Sequence, residues 1–165
     1  MMTGNTCQGN LNGIYLDGSH DNTVTGNTCQ GNTTGGININ ACDDNTVTGN
    51  TCEGNTNGIY VDDVYHITFT GNTCEGNSQS GIHLSRSYHS TVVGNSCTGN
   101  TQHGIYIALG TYNTVTGNTC RENDRHGIYV DQSSDNLIVG NSCNLNDANN
   151  TGTYDGICIE DDADE

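Results

Sequence analysis

The chain has 165 residues, 31% of them hydrophobic, with one Phe, no Pro and no Trp, which is too lean for a conventional single apolar core. Its formal net charge is -16, with three arginines (Arg86, Arg121, Arg125) and no lysine, so a nucleic-acid partner, which needs a basic surface, is disfavoured, as is an anionic membrane. No apolar run reaches the length of a signal h-region or a membrane span, so no membrane insertion is expected.

Taken in chain order, the first element is Thr-Gly-Asn-Thr-Cys at Thr3 to Cys7. It returns at Thr25, Thr48, Thr70 and Thr116, with Val-Gly-Asn-Ser-Cys at Val93 and Val139. A period of 22 or 23 residues predicts a solenoid, in which one repeat buries its apolar residues only when a neighbour stacks on it. The second element is Gly-Ile-x-aliphatic, at Gly13, Gly36, Gly58, Gly81, Gly104, Gly127 and Gly156. The strand period of two points Ile14, Ile37, Ile59, Ile82, Ile105, Ile128 and Ile157 inward, and with them Leu16, Ile39, Val61, Leu84, Ile107, Val130 and Ile159. The third element supplies the column Val24, Val47, Phe69, Val92, Val115 and Ile138. The cysteines at Cys7, Cys29, Cys52, Cys74, Cys97, Cys120 and Cys143 form a fourth. Four inward ladders on three short strands per coil predict an all-β, parallel β-helix of seven coils. One domain spans 1–165, lengthened near 147–155.

Gly-Asn corners tolerate left-handed dihedrals, and a second asparagine column at Asn10, Asn32, Asn55, Asn77, Asn100, Asn123 and Asn146 can hydrogen-bond from coil to coil as in cross-β assemblies. The cysteine ladder reads as buried unbridged thiols, since parallel Cβ vectors oppose the disulfide dihedral. No Cys/His spacing suggests zinc. Cys42 takes a corner place equivalent to Ser19, and Cys158 takes the outward place of Tyr15, making it the expected reactive or intermolecular thiol. Asn32-Thr33-Thr34 and Asn149-Asn150-Thr151 match glycosylation sequons.

The pattern from Gly13 to Asn27, Gly-Ile-x-Leu-x-x-Ser-x-x-Asn-Thr-Val-x-Gly-Asn, resembles the repeat of NosD-like and CASH-type domains of the pectate-lyase-like superfamily. The resemblance covers essentially the whole chain and implies a single-stranded right-handed β-helix. In carbohydrate-active members a groove of aromatics, carboxylates, His and basic residues binds a sugar chain and abstracts a proton. Here it would comprise the stripe Tyr15, Tyr60, His83, Tyr106 and Tyr129, with His83, Arg86, Tyr106, Tyr129 and Asp131 as the residues of a lyase-like or epimerase-like reaction. Catalysis is not the expectation, because fold analogy alone is a weak warrant; a polar solenoid surface is. Another face shows Thr-x-Thr rungs such as Thr23/Thr25 and Thr68/Thr70, similar to ice-binding arrays, although threonine suits any exposed strand.

The junction of Glu160 to Glu165 with Met1 to Thr3 of a second copy aligns without a gap on Asp17 to Thr25. The expected function is therefore structural: head-to-tail self-association through Met2, Cys7, Ile14, Cys143, Ile157 and Ile159 into a filament or extracellular surface assembly, since open edges accept further strands. A polysaccharide-binding or polysaccharide-modifying β-helix is the alternative. No cofactor is required; calcium would suit Asp161, Asp162, Asp164 and Glu165.

Overall fold

The computed structural model describes residues 1–160. They form three seven-stranded sheets and no helix, each coil giving one strand to each sheet. The threonine sheet runs from Met2–Thr3 to Leu137–Val139, the cysteine sheet from Thr6–Gln8 to Ser142–Asn144, and the isoleucine sheet from Asn12–Asp17 to Ile157–Glu160. Every pairing joins neighbouring coils in parallel, for example Cys74 with Cys97 and Ile82 with Ile105. The chain is a parallel β-solenoid, and its four inward ladders are those that the repeat predicts.

Residues on these ladders are almost wholly buried through the middle coils, from Ile37 to Ile128 and from Cys29 to Cys120. A methyl-sized gap in such an interior would be felt, because close packing leaves little room to relax. At the ends the ladders emerge: Cys7 and Cys143 are half-buried, while Ile157 and Ile159 are 44% and 64% exposed. Ile14 stays buried and Met2 half-buried. A fifth inward column, Cys42, Val64 and Ser87, closes the remaining corner. There the Cys42 thiol accepts the Ser19 N–H at 3.2 Å and donates to the Asn40 carbonyl at 2.9 Å.

The corners divide the labour of each Gly-Asn pair. Gly26 and its equivalents take positive φ, near 62°, where a Cβ is costly. The asparagine beside it turns inward: Asn27 Nδ2 donates to Asn50 Oδ1 at 2.9 Å, and the Asn27 N–H donates to the same oxygen at 3.0 Å. The second asparagine column does likewise, Asn32 to Asn55 and Asn77 to Asn100, both at 2.9 Å. These amides satisfy backbone and each other where water is excluded. Asn32, 2% exposed and fully engaged, is thereby unavailable as a glycan acceptor, which corrects the sequon reading there. A third ladder runs through Asn22, Asn45, Ser90, Asn113 and Asn136, with Ile67 interrupting it.

The glycine of Gly-Ile has a different reason. At Gly104 a Cβ would stand 2.6 Å from the Gly127 carbonyl oxygen and 2.8 Å from Cys120 Cβ. Close coil stacking, and not φ, selects glycine there. It also sets the preceding residue, His103 or His126, at the rim of the isoleucine sheet.

Candidate functional site

The outer column of the isoleucine sheet carries Tyr15, Asn38, Tyr60, His83, Tyr106, Tyr129 and Cys158, each in register with the next. Strand alternation exposes this column because Ile and its second aliphatic partner occupy the inward places on either side. Tyr60 meets His83 edge-on at 5.0 Å, His83 lies 4.5 Å from Tyr106, and Tyr106 stacks on Tyr129 at 5.2 Å. A second row, just before the glycines, stacks His103 on His126 at 5.5 Å with planes 4° apart. His103 also packs against Tyr129 at 4.8 Å. The rings thus form one continuous patch across the third to sixth coils of the sheet, with offset contacts of the kind aromatic quadrupoles favour.

Carboxylates border the patch. Tyr106 donates its hydroxyl to Asp131 at 2.9 Å and Tyr129 donates to Glu160 at 2.8 Å. Arg86 donates to Asp62 on the preceding coil. Burial, then the hydrogen bond to Asp131, pushes the Tyr106 phenol up to about 12. Burial, then Glu160, raises Tyr129 as well. Both phenols are neutral donors at ordinary pH. Burial pulls His83 down to about 4, partly offset by Asp62. Burial, followed by the charges of His126 and Arg125, pulls His103 down to about 3.

Of the residues expected from the sequence, Tyr60, His83, Tyr106, Tyr129 and Asp131 come together. Tyr15 stands apart, 53% exposed at the far end of the column with Asn38 between it and Tyr60. Arg86, at a positive φ of 44°, is turned to Asp62. The acids Asp161, Asp162, Asp164 and Glu165 lie outside the described residues.

Sequence reasoning missed what the long last coil does. Asp147 accepts the Thr151 hydroxyl at 2.6 Å and the Thr151 and Gly152 N–H groups at 3.0 and 2.6 Å; the Thr151 hydroxyl first, then the backbone donors, hold its carboxyl low. The segment then returns Tyr154 edge-on to His126 at 5.1 Å and Asp155 N–H onto His126 Nδ1 at 2.8 Å. Arg125 lies over the Tyr154 ring at 5.9 Å, a cation–π distance. The result is a cavity of about 230 Å³ that includes His103, Arg125, His126, Tyr129, Asp155 and Cys158. Burial, then Glu160, raises the Cys158 thiol. This lowers its thiolate fraction.

A family model described as periplasmic copper-binding protein (NosD) matches residues 1–97 and 36–160. The chain belongs to the NosD family. Among solved structures, that of the periplasmic alginate epimerase AlgG superposes with a TM-score of 0.85 at 26% identity, over 99% of this chain and 40% of that one. A single-substitution variant of AlgG aligns over 79% of this chain and 33% of that one, with a TM-score of 0.74 at 28% identity. This NosD-family chain thus spans less than half the length of the epimerase it resembles. No curated protein matches it significantly.

Proposed function

We propose that this solenoid binds a polysaccharide along the isoleucine sheet, with the chain of sugars running parallel to the solenoid axis over Tyr60, His83, Tyr106 and Tyr129. The observation that carries the reading is the unbroken ring patch, which repeats once per coil and offers apolar faces beside neutral donors and fixed carboxylates. Sugars present both C–H faces and hydroxyls, so a row of aromatics bordered by acceptors meets both needs. The likeness over almost the whole chain to a structure named as an alginate epimerase supports a polysaccharide as the ligand class.

Binding is favoured over turnover. A general base works best with a pKa near the operating pH, whereas His83 and His103 are held at about 4 and about 3. The names of the family and of AlgG support a periplasmic or extracellular location. Copper, which the family description carries, is fitted at one grouping among the described residues, His126, Asp155 and Cys158; a bound ion would supply a fixed positive charge, and the glycan reading routes nothing through it.

A panel of neutral and acidic polysaccharides followed by amide shifts is the test. Shifts confined to Tyr60, His83, Tyr106, Tyr129 and their neighbours are expected. No shift with any glycan would overturn the reading.

A second proposal is head-to-tail stacking of copies. It predicts fibres in electron micrographs with an axial rise of about 34 Å, seven coils at about 4.8 Å, lengthening in salt as repulsion is screened. Monomers at high protein and salt concentration would sink it.

A further inference from the structure

We propose that His126, Asp155 and Cys158 bind one soft first-row metal ion, zinc(II) or a cuprous ion. Their ligand atoms, an imidazole nitrogen, a carboxylate oxygen and a thiol sulfur, all lie within 4.8 Å of one another. Ligands sharing one tetrahedral ion at about 2.0 to 2.3 Å stand roughly 3.3 to 3.8 Å apart, so closing on an ion asks about 1 Å of movement. Cys158 lies within the strand Ile157–Glu160, and His126 stands two residues before the neighbouring strand Ile128–Asp131. His126 and Asp155 each precede a glycine on adjacent coils, and Cys158 pairs with Tyr129. The third coordinate comes from the long last coil, pinned by Asp147, which sets Asp155 over His126.

A separate observation points to the same cavity. His103 is 4% exposed, stacks flat on His126, and has a buried Nδ1 without a hydrogen-bond partner among the described residues. Buried polar nitrogens are rarely left unmatched. His103 lines the cavity with the three ligands, and its ring would have to rotate out of the parallel stack on His126 to bring that nitrogen in as a fourth donor.

The donor set selects the metal. Thiolate and imidazole favour zinc and cuprous copper, whereas calcium and magnesium take oxygen. Binding releases the Cys158 proton to solvent, one per ion, as the sulfur lone pair forms the metal bond. His126 Nδ1 now accepts the Asp155 N–H at 2.8 Å, so an ion at this nitrogen replaces that hydrogen bond while the Asp155 carboxylate approaches from the same residue.

The full chain, reduced and metal-free, is titrated with cobalt(II) as a spectroscopic stand-in, then with zinc(II), and with cuprous ion under anaerobic conditions. Expected are one ion per chain, a sulfur-to-cobalt absorption band, and one proton released. Cys158→Ser should abolish that band and weaken zinc at least tenfold, His126→Gln should weaken it similarly, and His103→Gln by less. Cys42→Ser serves as the control with binding intact. Circular dichroism checks that each variant keeps its β-signal, and the His126 imidazole resonances of the unsubstituted protein should shift on loading whatever the variants do. No binding at stoichiometric zinc, or binding unchanged by both Cys158→Ser and His126→Gln, would overturn the site. Tighter cuprous than zinc binding would assign copper, and the reverse zinc. Glycan shifts are measured in the metal-free protein, so failure here leaves the polysaccharide reading standing.

Discussion

The threonine sheet and the isoleucine sheet turn similar aliphatic columns inward, Val24 to Val115 in one and Ile14 to Ile128 in the other, but their outward columns differ. Outside, the threonine sheet repeats Thr-x-Thr at Thr23, Thr46, Thr68 and Thr114, interrupted at Val93 and ending at Leu137 and Val139. The isoleucine sheet runs through Tyr15, Asn38, Tyr60, His83, Tyr106, Tyr129 and Cys158, no two successive coils of its first five alike. Inward residues answer to the neighbouring coil and so repeat. An outward column that repeats is accounted for by strand preference alone; one that varies coil by coil, yet keeps its rings in contact, has a local reason. That contrast directs attention to the second sheet.

The largest expected effect separates inside from outside. Ile105→Asp places an unpaired charge in the core and should cost more than about 4 kcal/mol, enough to unfold the stack, whereas Thr68→Asp should change stability by about 1 kcal/mol or less. Thermal melts of the two would erase the distinction if they shifted alike. Next is a pH effect confined to the isoleucine sheet. His103 is buried and His83 half-buried, both neutral, with folded values of about 3 and about 4 against 6.5, so the unfolded chain binds more protons between those limits. Their contribution is complete above about pH 6.5 and is lost as pH falls toward 3. Urea titrations across that range should show a slope that His103→Gln reduces and Thr70→Ala leaves alone. A slope untouched by His103→Gln would place the acid sensitivity elsewhere.

A smaller effect sharpens the functional side. Tyr106→Ala should weaken glycan binding roughly 3- to 10-fold, the loss of one aromatic contact, with Thr70→Ala neutral; equal losses would mean that the chain of sugars does not follow the ring patch. Smallest is the expectation for the threonine array, which serves as ordinary surface. Freezing-point measurements should show no thermal hysteresis, and a clear hysteresis removed by Thr68→Tyr would reverse the comparison by making the regular face the functional one.

The four inward ladders were legible because each coil imposes the same packing on the next, so Ile82 and Ile105 or Cys74 and Cys97 must recur at one spacing. The ring patch was legible for the same reason, since register carries outward columns along with inward ones. The meeting of His126, Asp155 and Cys158 was not. It depends on how the lengthened coil folds back, and the 29 residues between His126 and Asp155 resemble no compact ligand spacing. The third polar corner ladder escaped notice because Ile67 interrupts it and Ser90 stands where Asn45 and Asn113 do. Asn32 shows the opposite failure, a local motif overruled by burial that only stacking creates.

The asparagine amides at the Gly-Asn corner have a sense of direction. Asn5 donates its amide to Asn27, Asn27 to Asn50, Asn50 to Asn72, Asn72 to Asn95, Asn95 to Asn118 and Asn118 to Asn141, always from the earlier coil to the later. The column beginning at Asn32 points the same way. Aligned amides polarise one another, so the two columns act as parallel electrostatic vectors along the axis. The last coil therefore presents N–H to whatever follows, and the first presents oxygen to whatever precedes. A coil added in the reversed orientation would set donor against donor after the last coil and acceptor against acceptor before the first, at both corners at once.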